Sequence, residues 1–164
     1  MALGEGHHLS DRIPFHVPML ALLLGLLGCA RHTPQLAVGP LAGGLEPFLA
    51  DHVRPAEQPV RVDEVARTPS ASYHLVQVHG SEKPHRHLQH DLTVLVLRGE
   101  GTLVLSGTKL QLAAGDVAVI ARGTVHWFAS APGRDAVALV TFAPALDAPD
   151  TVPAEVIDSP AADR

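Results

Sequence analysis

Aromatic side chains are scarce in this chain, and their scarcity argues against one class of function. They make up 4% of its 164 residues, and Tyr73 and Trp127 are its sole tyrosine and tryptophan. A lectin that stacks sugars on aromatic platforms usually carries more of them. Carbohydrate binding by stacking is therefore disfavoured.

The chain also lacks any block of positive charge. Its 12 Lys and Arg are outnumbered by 17 Asp and Glu, which gives a formal net charge of -5, and charges of both signs are scattered along the sequence. No basic stripe is present that would follow a phosphate backbone. We therefore expect no nucleic-acid partner.

Cysteine occurs once, at Cys29, so no disulfide can form within the chain. Cys29 follows an apolar run over residues 17–28, which is too short to span a bilayer because a transmembrane helix needs about 20 residues. Leu26, Leu27, Gly28 and Cys29 resemble the lipobox of bacterial lipoproteins, in which cleavage leaves the cysteine as a lipid-carrying N-terminus. We predict a signal peptide over residues 1–28, lipidation of Cys29 and a membrane-anchored protein of the cell envelope, on its periplasmic side or surface. The alternative is an apolar helix that is not cleaved.

The two ends of the remaining chain have the composition of flexible segments. Residues 29–59 are rich in proline and glycine, which predicts a tether with at most one short helix near residues 45–53. Residues 146–164 are polar and proline-rich, which predicts a disordered tail.

Short strand-like segments separated by glycine turns fill residues 60–145. The segments are residues 60–65, 72–78, 83–88, 92–97, 102–105, 109–112, 117–120, 125–130 and 136–142. Many short strands without a helical period favour an antiparallel β-barrel or jelly roll.

Histidines occur in two segments of this region. The first segment contains Gly80, His85, His87 and Gly99, and the second contains Gly115, Gly123 and His126. His85 and His87 are two residues apart on an extended segment, so their side chains project to the same face. His126, on a different strand, would complete a site with three nitrogens.

Together these two segments resemble the paired signature motifs of the cupin superfamily, whose small antiparallel β-barrels often hold a divalent metal in their mouth. The resemblance implies an all-β fold, a single-domain cupin-type barrel over residues 60–145. It also implies one divalent metal bound by His85, His87 and His126. Imidazole nitrogen suits Fe, Mn, Ni, Cu and Zn alike, so the ligands do not name the ion.

The fourth metal ligand stays open between His90 and Asp91. The spacing of the motif's carboxylate can be counted from either side. Skipping three residues after His87 reaches Asp91, whereas skipping six residues back from Gly99 reaches Leu92, which cannot ligate. His90 shares the strand parity of Leu92, so a regular strand turns His90 inward, and a β-bulge is needed to turn Asp91 inward. A carboxylate would favour Mn or Fe, and a fourth imidazole Cu, Ni or Zn. We prefer His90, with Asp91 in its place as the alternative.

The expected function is that of a lipid-anchored cupin that binds one divalent metal and a small-molecule ligand or substrate. A metal-dependent enzyme similar to oxygenases is the leading hypothesis, and a non-catalytic metal or small-ligand binding module is the alternative. A donor or titratable group near the metal, beyond its ligands, would favour the enzyme. The sequence offers Tyr73, Gln77 and whichever of His90 and Asp91 is not a ligand. Cupins commonly form homodimers through strand faces, so the resemblance also implies a homodimer as one possible state of this chain.

Overall fold

The structure, a computed structural model, describes residues 34–38 and 41–155. Within these ranges the chain forms twelve strands and one helix. The elements are β1 (Gln35–Val38), β2 (Leu41–Gly44), α1 (Leu45–Asp51), β3 (Val60–Arg67), β4 (Ser72–His79), β5 (His85–His87), β6 (Asp91–Arg98), β7 (Glu100–Leu105), β8 (Thr108–Ala113), β9 (Val117–Ile120), β10 (His126–Ser130), β11 (Asp135–Ala143) and β12 (Thr151–Pro153).

Two five-stranded antiparallel sheets make up the barrel, and β1 and β2 form a separate hairpin. One sheet has the strand order β3-β4-β11-β6-β9, and the other has the order β12-β5-β10-β7-β8. A strand is present at each of the nine segments predicted from the sequence. The predicted all-β antiparallel barrel is therefore confirmed.

The core lies between the two sheets, where alternate residues of each strand point inward. On β11, Val140 and Phe142 point into this space. They form a buried cluster with Leu92, Leu103 and Ile120, which come from β6, β7 and β9. Burial of such large apolar side chains is the main force that holds the two sheets together.

Gly99 joins β6 to β7 at a position that admits no side chain. Its φ is +79°, and a Cβ atom there would lie 2.5 Å from the backbone oxygen of Asp135. Glycine alone takes such a conformation and such a close approach without steric cost. The tight connection fixes where β6 ends and β7 begins.

The structure differs from the predicted tether over residues 35–51. Leu45 and Leu49 of α1 are buried in a cluster with Leu36, Leu75 and Val137. Leu75 and Val137 lie on the outer face of the β4–β11 pair, where their side chains would meet water without this cover. The hairpin and helix therefore belong to the folded domain, although a short helix in this segment agrees with the prediction.

The structure also differs from the predicted tail, because β12 pairs with β5 through residues 151–153. The short strand β5 gains hydrogen-bond partners on its second side from this pairing. The predicted signal over residues 1–28, the lipidated Cys29 and the end of the tail, residues 156–164, lie outside the described residues.

Helix α1, the one helix within residues 34–38 and 41–155, lacks the length and apolar character needed to cross a membrane.

Candidate metal centre

Strands β5 and β10 bring three histidines together. His85 and His87 are the two ends of β5, and His126 is the first residue of β10 and pairs directly with His85. His126 and its neighbour Trp127 point to opposite faces of β10 because strand side chains alternate. The predicted convergence of two separate segments thus occurs at one antiparallel pair.

The three imidazole rings lie within reach of a single ion. One ring nitrogen of each of His85, His87 and His126 lies within 4.8 Å of the others. The ring centroids of His85 and His126 are 4.4 Å apart, and those of His87 and His126 are 5.5 Å apart. Three nitrogens from two strands, grouped on one side, leave open positions on the other side of an ion.

The Nδ1 atom of each ring already has a partner that can only accept a hydrogen bond. The Nδ1 atoms of His85, His87 and His126 lie 2.8, 2.7 and 2.9 Å from Lys83 O, Asp150 Oδ1 and Thr124 O, respectively. The proton of each neutral ring must therefore sit on Nδ1, which leaves a lone pair on Nε2. No hydrogen bond to any of these Nε2 atoms is found among the described residues. This donor set fits a divalent metal, because metal-ligating histidines commonly donate the other N–H to a carbonyl or carboxylate.

Burial keeps two of these rings in the form that a metal requires. Burial lowers the pKa of His87, although Asp150 opposes the shift. Burial also lowers the pKa of His126 to about 4. Both rings are therefore neutral at neutral pH, and only a neutral imidazole can ligate a metal.

Asp150, just before β12, holds two histidines at once. Its oxygens lie 2.7 Å from Nδ1 of His87 and 2.6 Å from Nδ1 of His90, and a third bond comes from the backbone N–H of Gln89. The Asp150 side chain is 5% exposed. Burial raises the pKa of the Asp150 carboxyl, but the hydrogen bonds from His90, His87 and Gln89 outweigh it and hold the pKa at about 2. Asp150 is therefore an anion that orients His87.

The structure does not bring His90 or Asp91 into the cluster of three ring nitrogens. His90 is buried, as strand parity predicts, but its Nδ1 bonds to Asp150. Asp91 faces solvent, where Arg122 donates to both of its oxygens and lowers the pKa of its carboxyl to about 2. Each side chain thus has a strong partner outside the cluster.

A cavity of about 720 Å³ opens from the three histidines into the barrel. Its walls are mostly Val, Leu, Ile and Phe side chains from both sheets, and they include Phe128, as expected from its place two residues after His126. Tyr73, Gln77, His90 and Asp91, the donors offered by the sequence, do not line it. Cavities of this size hold drug-sized ligands.

Glu82 is the one carboxyl group among the described residues that lines the cavity. Its backbone N–H donates to Phe128 O, and its Oε2 accepts from the backbone N–H of Phe128, each at 2.9 Å. Glu82 is thus held to β10 at two points, once through its backbone and once through its side chain. No hydrogen bond to its Oε1 is found within the described part of the chain. Burial raises the pKa of the Glu82 carboxyl.

Sequence reasoning missed both Glu82 and Asp150. Glu82 carried a weak signal, because it lies between Gly80 and His85 of the first motif. Asp150 carried none, because it lies 63 residues from His87 in a segment without strand periodicity.

The raised pKa of Glu82 predicts how stability changes with pH in the metal-free protein. The folded state keeps the Glu82 proton to higher pH than the unfolded chain does, so stability falls as pH rises through the folded-state pKa. Glu82→Gln keeps an acceptor for the Phe128 N–H and cannot ionise. We expect its Tm to exceed that of the parent at pH 8 by more than at pH 4, with exposed Glu57→Gln as the control. An equal difference at both pH values would contradict the prediction.

Comparison with known proteins agrees with this fold. The family model "Cupin domain" matches residues 57–142. An uncharacterized protein of Aquifex aeolicus is 40% identical over 97 residues, which span 59% of this chain and 79% of that protein. Among solved structures, KdgF from Halomonas sp. is 28% identical with a TM-score of 0.51, and the match covers 56% of this chain and 85% of KdgF. A double-stranded β-helix protein from Klebsiella pneumoniae is 24% identical with a TM-score of 0.56 over 65% of this chain and 94% of that chain, a likeness of fold alone. The chain belongs to the cupin family.

Proposed function

We propose that this protein binds one divalent transition metal through Nε2 of His85, His87 and His126 and is a metal-dependent enzyme acting on a small molecule. The observation that carries the proposal is the set of three acceptors on Nδ1, which leaves a lone pair on Nε2 of each ring in a cluster whose ring nitrogens lie within 4.8 Å of one another. Iron, manganese, nickel, copper and zinc all accept such a shell. A bound ion would supply Lewis acidity and, for a redox metal, oxygen chemistry.

The residues around the centre support catalysis over simple storage of the ion. Glu82 lines the same cavity as the three histidines, but it does not belong to their cluster of possible metal ligands. A carboxyl group whose pKa is raised by burial keeps its proton to higher pH than an exposed carboxyl does, and it can donate or accept that proton at the cavity. The other walls of the cavity are mostly apolar.

The metal proposal is tested with protein purified without a histidine tag. We expect one equivalent of metal per chain after reconstitution. Long-range ¹⁵N NMR of the metal-free protein should show protonated Nδ1 and unprotonated Nε2 for His85, His87 and His126, and zinc should shift their Nε2 signals. Zinc binding that shifts none of these Nε2 signals would contradict the proposal.

The alternative, a binding module without catalysis, is tested separately by turnover. Iron-loaded protein is screened for oxygen uptake and for loss of added small molecules, with Glu82→Gln and His126→Ala as controls. Turnover that both variants lose supports an enzyme. Tight ligand binding without turnover would favour the module.

We propose further that Cys29 carries lipid and anchors the protein at the cell envelope. The support is the apolar run that ends at Leu26, Leu27, Gly28 and Cys29. Cys29→Ser should abolish lipidation of residue 29 and the processing before it. A Cys29→Ser protein that is processed there and stays with the membrane would contradict the proposal.

A further inference from the structure

The lining of the cavity is divided into a polar end and an apolar body. Its polar residues come from one end: Ser81, Glu82 and Lys83 before β5, the three histidines, and Thr151 on β12. The remainder is apolar and comes from strands of both sheets, for example Val76, Val94, Leu103 and Val140. A ligand that fills this space without leaving polar atoms unpaired must be divided in the same way.

The charge at the polar end favours an anion. The three proposed ligands are neutral imidazoles, so no ligand in the cluster offsets the charge of a divalent ion. Asp150 is an anion, but it bonds to Nδ1 of His87 and does not line the cavity. Lys83 adds a positive charge to the same end.

We infer that the cavity binds a monocarboxylate with an apolar body, with its carboxylate at the three histidines and its body between the two sheets. The preference for a carboxylate rests on the proposed function, because it needs the bound metal. The preference for an apolar body rests on the walls alone.

The test uses butanoate, hexanoate, octanoate and 1-octanol as probes, with binding measured by calorimetry on cobalt-loaded and metal-free protein. We expect affinity to rise about fourfold per methylene up to octanoate, the gain for burying one CH₂ group. In loaded protein, octanoate should bind at least tenfold more tightly than 1-octanol, and this advantage should disappear in His126→Ala. Equal affinity for butanoate and octanoate would overturn the inference, and equal affinity for octanoate and 1-octanol in loaded protein would overturn its carboxylate half.

Variants of the wall locate the apolar body. Ala138→Phe places a ring in the cavity and should remove the gain in affinity from butanoate to octanoate. Residue 141 lies on the same strand but points to its other face, so Thr141→Phe should keep this gain. Val94→Thr preserves the shape of the wall and adds a hydroxyl, so it should weaken octanoate by several-fold even if Ala138→Phe fails to fold. An unchanged gain in Val94→Thr and in folded Ala138→Phe would overturn the placement.

The two proposals fail in distinguishable ways. If the protein binds no metal but metal-free protein still prefers long chains, the proposed function fails and the apolar-body inference stands. If metal binds stoichiometrically and chain length has no effect, the inference fails and the proposed function stands.

Discussion

His126→Ala is expected to lower metal affinity by roughly 100- to 1,000-fold. The binding free energy of a four-ligand structural zinc site is about 10–16 kcal/mol, and one quarter of it, the share of one ligand, corresponds to this loss. His126 contributes one of the three ring nitrogens, and it is the one that comes from β10. The measurement is a competition titration with a chelator of known affinity. The barrel should remain folded, because its core consists of apolar side chains such as Leu103 and Val140.

His79→Ala is the matched control for this experiment. His79 is also a histidine on a strand, but it is exposed and pairs with Asp135 on the surface. Such pairs contribute about 0–1 kcal/mol to stability, so neither folding nor metal affinity should change much. Stoichiometric, tight metal in His126→Ala would contradict the three-histidine centre.

Asp150→Asn is expected to lower metal affinity by about 10- to 100-fold, the usual effect of removing a carboxylate that supports a metal-ligating histidine. Asparagine has nearly the same shape, but it carries no charge and offers one acceptor where the carboxylate offers two. Its amide nitrogen takes the place of one carboxylate oxygen, so His87 and His90 can no longer each donate to an oxygen of their own. The same titration measures the effect, and the ¹⁵N spectrum of His87 should show a mixture of tautomers.

Asp147→Asn is the control, because Asp147 lies in the same segment but is 91% exposed and pairs with Arg67. Its metal affinity should equal that of the parent. A change of less than twofold in Asp150→Asn would show that β12 and its approach do not support the centre.

The sequence was sufficient to predict the features that depend on local spacing. His85 and His87 are two residues apart, and strand geometry alone puts them on one face. The inward direction of His90 followed from the same alternation. Its partner did not, because the carboxylate of Asp150 approaches from a part of the chain 60 residues away.

The packing of α1 against the outer face of the β4–β11 pair shows a different limit of prediction from sequence. Residues Leu45, Phe48 and Leu49 have helical spacing, but a seven-residue helix is too short for a clear periodic signal. Whether such a segment packs depends on the surface it meets, here Leu75 and Val137. The tether prediction was wrong for this segment because proline and glycine content describes the local chain and not that surface.

The place of Trp127 gives the protein an optical signal of its own. It is the sole tryptophan, it follows His126 directly on β10, and it pairs across the sheet with Val104. All indole emission therefore originates one residue from the proposed centre, on the opposite face of the same strand. Copper or nickel arriving at His126 would quench that emission, and zinc would not. Occupancy by these paramagnetic ions can thus be followed by fluorescence in the unmodified chain.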